Sequence, residues 1–118
     1  MTEPAAADTG SPSGICLVLC TAPADVADNI AGALVSARLA ACVNILPAVV
    51  STYRWKGHVA RDDEALLMIK TAADRVAQLT LKIREVHPYE LPEVLALPVR
   101  GGLNDYLAWV VAESRPEA

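Results

Sequence analysis

Between Ile45 and Thr71 the chain alternates apolar and polar residues along two runs that meet at Lys56-Gly57. Val49, Ser51, Tyr53 and Trp55 mark the outbound run, and Glu64, Leu66, Met68 and Lys70 the return. A period of two predicts a strand in each run and a tight turn between them. Each arm of roughly ten residues, at about 3.3 Å per residue, reaches some 30 Å. A domain of this length has a radius of gyration of only about 13–14 Å, so the hairpin tip is expected to project beyond it. An isolated ribbon is marginal in water and needs support. In a register without a bulge, apolar residues line both sides of the base. Ile45, Val49, Leu66 and Met68 fall on one side, and Leu46, Val50, Leu67 and Ile69 on the other. Helices on one face and another subunit on the second would cover such a sheet.

The flanking segments complete the pattern. Ile15–Thr21 is a continuous apolar run, read as a central strand. Ala22-Pro23 opens a helix with proline where its missing N–H costs nothing. Asp25 and Asp28 sit in its first turns, and Val26, Ile30, Leu34 and Ala37 form its apolar stripe, with an end near 39–41. Thr71-Ala72-Ala73-Asp74 has the spacing of an acidic capping box. The helix after it turns Val76, Leu79, Ile83 and Val86 inward, and Pro88 stops it at His87. Val94–Val99 is a short strand, placed at an edge or strand end by Pro92 and Pro98. Gly101-Gly102 leads into a last helix from Leu103 to about Glu113.

The order β-α-β-β-α-β plus a terminal helix predicts an α+β fold. It is a ferredoxin-like split β-α-β sandwich with a long β-hairpin and a C-terminal helix. One domain is expected over 15–113, with a disordered N-terminal tail at 1–14 and a short C-terminal tail at 114–118.

Composition narrows the function. The 118 residues carry a net charge of −4, and no Lys or Arg precedes Arg38. A chain without a basic block is not expected to bind nucleic acid or an anionic membrane. Residues 15–24 resemble the apolar region of a signal peptide, but no basic segment stands before them. No apolar run approaches the ~18 residues of a membrane span. Three cysteines in no disulfide spacing fit a reducing cytoplasm, which is the expected location.

Candidate chemistry is sparse. Cys16 and Cys20 share a strand face and read most simply as core residues, with Cys20 at the strand end the more reachable. Cys42, in apolar company, also reads as core. His87-Pro88-Tyr89-Glu90-Leu91-Pro92-Glu93 puts an imidazole, a phenol and two carboxylates into a stiff heptad. It is either a helix end whose histidine faces the C-terminal dipole or the wall of a site. His58 beside the turn reads as solvated. No nucleophile–base, zinc-protease or phosphate-loop motif is present. Glu64 and Lys70 share a strand face with Leu66 and Met68, so covering that face would create a polar pocket between subunits.

Six segments together resemble a known family. They are Leu19-Cys20-Thr21-Ala22-Pro23, Arg38-Leu39-Ala40-Ala41-Cys42-Val43-Asn44, Tyr53-Arg54-Trp55-Lys56-Gly57, Glu64 to Thr71, the heptad at His87, and Tyr106-Leu107-Ala108-Trp109-Val110. In order and without a gap, they are similar to the CutA divalent-cation tolerance proteins. The resemblance implies a ferredoxin-like protomer in a homotrimer, resembling PII signalling proteins, with a part in copper or other divalent metal ion tolerance. It places metal donors at Cys20 and His87, with Glu90 a third candidate. Some members carry two successive histidines where this chain has Val86-His87, which implies weak binding of copper or another divalent cation. Two other readings stand beside this non-enzymatic one. A PII-like sensor would hold a small anionic metabolite in intersubunit clefts lined by Trp55, Glu64, Lys70, Tyr89 and Glu93. An enzyme would use the same histidine and carboxylates as acid and base.

Overall fold

The computed structural model describes residues 10–117. Four strands and three helices follow in the expected order. They are β1 (Ile15–Ala22), α1 (Ala24–Ser36), β2 (Cys42–Trp55), β3 (His58–Ala72), α2 (Val76–Val86), β4 (Leu95–Pro98) and α3 (Asn104–Glu113). The sheet runs β2-β3-β1-β4 with every neighbouring pair antiparallel. This is the ferredoxin-like split β-α-β arrangement, with β1 central and the proline-flanked β4 at an edge.

Alternation decides which side chains enter the core. Cys16, Val18, Cys20 and Ala22 of β1 lie opposite Thr71, Ile69, Leu67 and Ala65 of β3, and all eight are buried. Ile30 and Leu34 of α1 and Leu79 and Ile83 of α2 close over that face. Each large aliphatic side chain so buried contributes about 1.5–3 kcal/mol. On the second face, α3 caps only one end. There the Ala72 N–H donates to the Oγ of buried Ser114 at 3.0 Å. The rest of that face is uncovered in the single chain, leaving Leu46, Leu95 and Leu97 exposed.

The hairpin is longer than the alternation alone indicates, because its base pairs back to Cys42↔Lys70. Lys56 (φ 49°) and Gly57 (φ 84°) make the two-residue turn, closed by the pair Trp55↔His58. Both positive φ values match the twist of a type I′ hairpin turn. Pairing of β1 ends at Ala22↔Ala65, so from Val49↔Glu64 outward the two strands pair only with each other. The unbulged register does not hold. Leu46 pairs with Leu66 but Val49 with Glu64, so Pro47 and Ala48 together face Ala65. The extra residue puts Cys42, Asn44 and Leu46 on the same side as Val49, Ser51, Tyr53 and Trp55. Ile45 and Val49 therefore fall on opposite faces.

Other boundaries also differ. α1 ends at Ser36, where Leu39 N–H bonds to Leu34 O and Arg38 N–H to Val35 O, both at 3.0 Å. That double closure places Arg38 in the left-handed region at φ 57°. Thr71 makes no capping box, since its hydroxyl donates to Leu39 O at 2.8 Å inside the core. A 3-10 turn, Ala73–Arg75, leads into α2 instead. Cys42 is half-buried on the second face, not in the core. The part of the expected N-terminal tail before residue 10 lies outside the described residues. From Ser11 on the chain is tied to Val99, the Ser11 hydroxyl donating to its carbonyl at 3.1 Å.

Candidate functional site at the base of the hairpin

His87 caps α2 because Pro88 forces the residue before it into extended backbone, here φ −83° and ψ 138°. Its ring is thereby turned towards the end of β1 and is 7% exposed. Nε2 donates to the Thr21 carbonyl at 2.8 Å, and Nδ1 accepts the Tyr89 N–H at 3.1 Å. Both nitrogens are engaged, and the pattern is that of the ring with its proton on Nε2.

Cys20 is one residue upstream on the core face of β1 and has no exposed surface. Its thiol also points to the Thr21 carbonyl, at 3.7 Å. Burial pushes the thiol up to about 12, with smaller contributions from the negative charges of Glu93 and Glu64. The structure thus brings Cys20 and His87 together, both engaged with one carbonyl oxygen. Glu90 stands apart from them, exposed and paired with Lys56 at 3.8 Å. Among the described residues, no three His, Cys, Asp or Glu side chains converge on a point that could hold a metal ion. As arranged, Cys20, His87 and Glu90 do not form a ready-made metal site.

Beside this joint a cleft of about 1070 Å³ opens between the hairpin and the connector 88–95. Thr21, Glu64, Tyr89 and Glu93 line it, and Trp55 and Arg54 border it on the hairpin. The Tyr89 hydroxyl donates to Glu64 Oε2 at 2.6 Å. Desolvation first, then the Glu64 bond and charge, raise the phenol well above its ordinary value. Burial and then repulsion from Glu64 raise the carboxyl of Glu93. Lys70 does not join this cleft within one chain. It lies six residues along β3 from Glu64, about 20 Å away, and donates to Asn44 Oδ1.

Two features escaped the sequence reading: the Thr21 carbonyl, which is backbone, and Asp62, which shares a strand face with Glu64 and accepts a bond from Tyr53. Period-two alternation carried the signal for Asp62. A model of the CutA1 divalent ion tolerance protein family matches residues 16–113. The chain belongs to that family. It is 48% identical to the human protein CutA over 92% of this chain and 64% of the human one. It spans less than two thirds of the length of that relative and of its mouse and Xenopus laevis counterparts. The solved divalent cation tolerance protein of Thermus thermophilus superposes with a TM-score of 0.81 at 45% identity, covering 84% of this chain and 97% of that one. A PII-like protein CutA from Nostoc sp. PCC 7120, in apo form, gives 0.81 at 35% identity over 85% and 97% of the two chains. CutA1 membership and the α+β fold thus agree. No helix among the described residues is long and apolar enough to cross a membrane.

Proposed function

We propose that the chain serves divalent-cation tolerance as a cytoplasmic homotrimer without catalytic activity, binding divalent cations, copper among them, weakly. The observation that carries this reading is the meeting of Cys20 and His87 at the Thr21 carbonyl, with both side chains already engaged. Soft sulfur and imidazole donors suit copper and zinc. Ligation requires a thiolate, and burial makes that thiolate about 4 kcal/mol harder to form than at an ordinary thiol. It also requires His87 to give up a hydrogen bond. Both costs reduce affinity, in keeping with Val86 standing where some relatives have a second histidine. The uncovered face with Leu46, Leu95 and Leu97 supports assembly. Trimerisation rests on the family.

Isothermal titration of copper and zinc into metal-stripped protein tests the reading, with His87→Ala and Cys20→Ala alongside. Micromolar or weaker binding that falls in His87→Ala is expected. Copper affinity unchanged in both variants would remove these residues from the reading. The sensor reading has a site in the cleft at Glu64 and Tyr89, but within one chain the carboxylates of that cleft oppose an anionic metabolite. A thermal-shift screen of metabolites separates the two.

A further inference from the structure

Residues 88–93 lead from α2 towards β4 and run past Thr21 at the end of β1. Both ends of this connector are anchored, by buried His87 on one side and by Val94, packed against the core, on the other. Between the anchors the backbone has no hold of its own. Among the described residues, no hydrogen bond between main-chain groups involves 88–94. A segment without such bonds opens locally at lower cost than a strand or a helix. Pro88 and Pro92 fix two φ angles, which stiffens the segment enough to move as one piece.

Side chains hold it instead, and they are unequal. Lys56 and Glu90 pair at 3.8 Å, but both are exposed, and such a pair contributes little. Tyr89 makes the strong contact: its hydroxyl donates to Glu64 Oε2 at 2.6 Å, and Glu64 is buried. A hydrogen bond to a carboxylate shielded from water is among the stronger kinds. Tyr89 also faces His87, its N–H donating to Nδ1 and its ring centre lying 4.6 Å from that of the imidazole. One residue thus ties β3 to the ring that shuts off the end of β1. Beside that ring Cys20 has no exposed surface, and its thiol feels the charge of Glu93 from the same segment.

We propose that residues 88–93 are a strap governing access to Cys20 and His87, with the Tyr89–Glu64 hydrogen bond as its latch. Releasing the latch lets the strap lift from the hairpin and frees His87 Nδ1. Water then reaches Cys20 while the sheet and the helices stay formed. Tyr89 is a positioning residue that acts through His87. Both latch residues belong to one chain, so the contact is made whether or not copies assemble. The inference concerns access alone and stands or falls apart from the copper reading.

Labelling of the full chain by a disulfide exchange reagent in native buffer, resolved by peptide mapping, tests it. Cys16 lies about 13 Å further back along β1, also fully buried, and reports global unfolding. The rate at Cys20 relative to Cys16 therefore reports the strap. Tyr89→Phe keeps the ring and loses the hydroxyl, and should raise that ratio about tenfold or more. Glu64→Ala should do the same. Glu64→Gln, which still accepts from the hydroxyl, should stay close to the parent, as should Lys56→Gln. An unchanged ratio in Tyr89→Phe, or Cys16 and Cys20 accelerating together, would overturn the proposal. So would Glu64→Gln or Lys56→Gln opening as far as Tyr89→Phe. A raised ratio accompanied by a smaller oligomer in sedimentation would overturn it too, since the cover over Cys20 would then come from a neighbouring copy.

Discussion

Cys20 and His87 share one acceptor: the thiol at 3.7 Å and the imidazole Nε2 at 2.8 Å both face the carbonyl oxygen of Thr21. The imidazole is the stronger donor, and its other nitrogen receives the Tyr89 N–H at 3.1 Å. One ring therefore ties the end of β1 to the end of α2 and sets the start of the connector. His87→Ala leaves the carbonyl with a weak thiol donor and the Tyr89 N–H without an acceptor. A loss of about 1–3 kcal/mol is expected for the orphaned groups, read from the urea midpoint. An unchanged midpoint would mean that water replaces both contacts.

The same burial makes the thiols unequal. Cys16 and Cys20 have no exposed surface, whereas Cys42 is half-buried beside Asn44. A thiol held near 12 stays protonated through mildly alkaline pH, and the thiolate is the reactive form. A disulfide exchange reagent at mildly alkaline pH should therefore label Cys42 first. Cys20 should react only on unfolding, with peptide mapping giving the order. Early labelling of Cys20 would show that the strand end opens.

Local pattern made the fold legible, and non-local closure hid the rest. Alternation from Val49 to Trp55 and from Glu64 to Lys70 announced the hairpin, and Lys56-Gly57 its turn, because period and turn chemistry are properties of neighbours in sequence. The bulge at Pro47 was missed although a proline inside a strand is itself a signal for an edge or a bulge. Arg38 in the left-handed region gave no signal, since glycine usually marks that position. The local closure of α1 sets that conformation, and the side chain is tied down from elsewhere, the guanidinium donating to the carbonyls of Arg115 and of Ala112, the latter at 3.1 Å. In the site, Cys20 and His87 were named from resemblance. Their shared acceptor is a backbone atom, which no residue pattern encodes.

Glu93 gives a prediction in pH. Burial and then Glu64 raise its carboxyl above the ordinary 4.5, so the folded chain holds this proton more tightly than the unfolded one. Above the raised value the charged group weighs against the fold. As pH falls through the window down to 4.5 that penalty is relieved. Glu93→Gln should thus be more stable than the parent near neutral pH. The gain should stay below about 1 kcal/mol, because solvent screens a side chain that is only partly buried. It should vanish in acid, where both chains are neutral at this position. Paired thermal melts across pH measure it. A constant difference at every pH would trace the effect to packing instead.

The hairpin tip tests the assembly. Trp55 is 38% exposed and Tyr53 40%, on the part of the hairpin where β2 and β3 pair only with each other. The Lys56 ammonium lies 5.6 Å from the Trp55 ring centre and covers only part of it. If the chain assembles through its second face, which the bulge aligns with Tyr53 and Trp55, these rings are the natural contact with a neighbouring copy. Covering such a ring contributes about 1.5–3 kcal/mol. Trp55→Ala should then shift dissociation to higher protein concentration and lower the thermal midpoint, while circular dichroism keeps its shape. Sedimentation across the micromolar range resolves the change. A variant whose oligomer size and midpoint match the parent's would place the tip in solvent and leave assembly to other exposed apolar residues such as Leu46, Leu95 and Leu97.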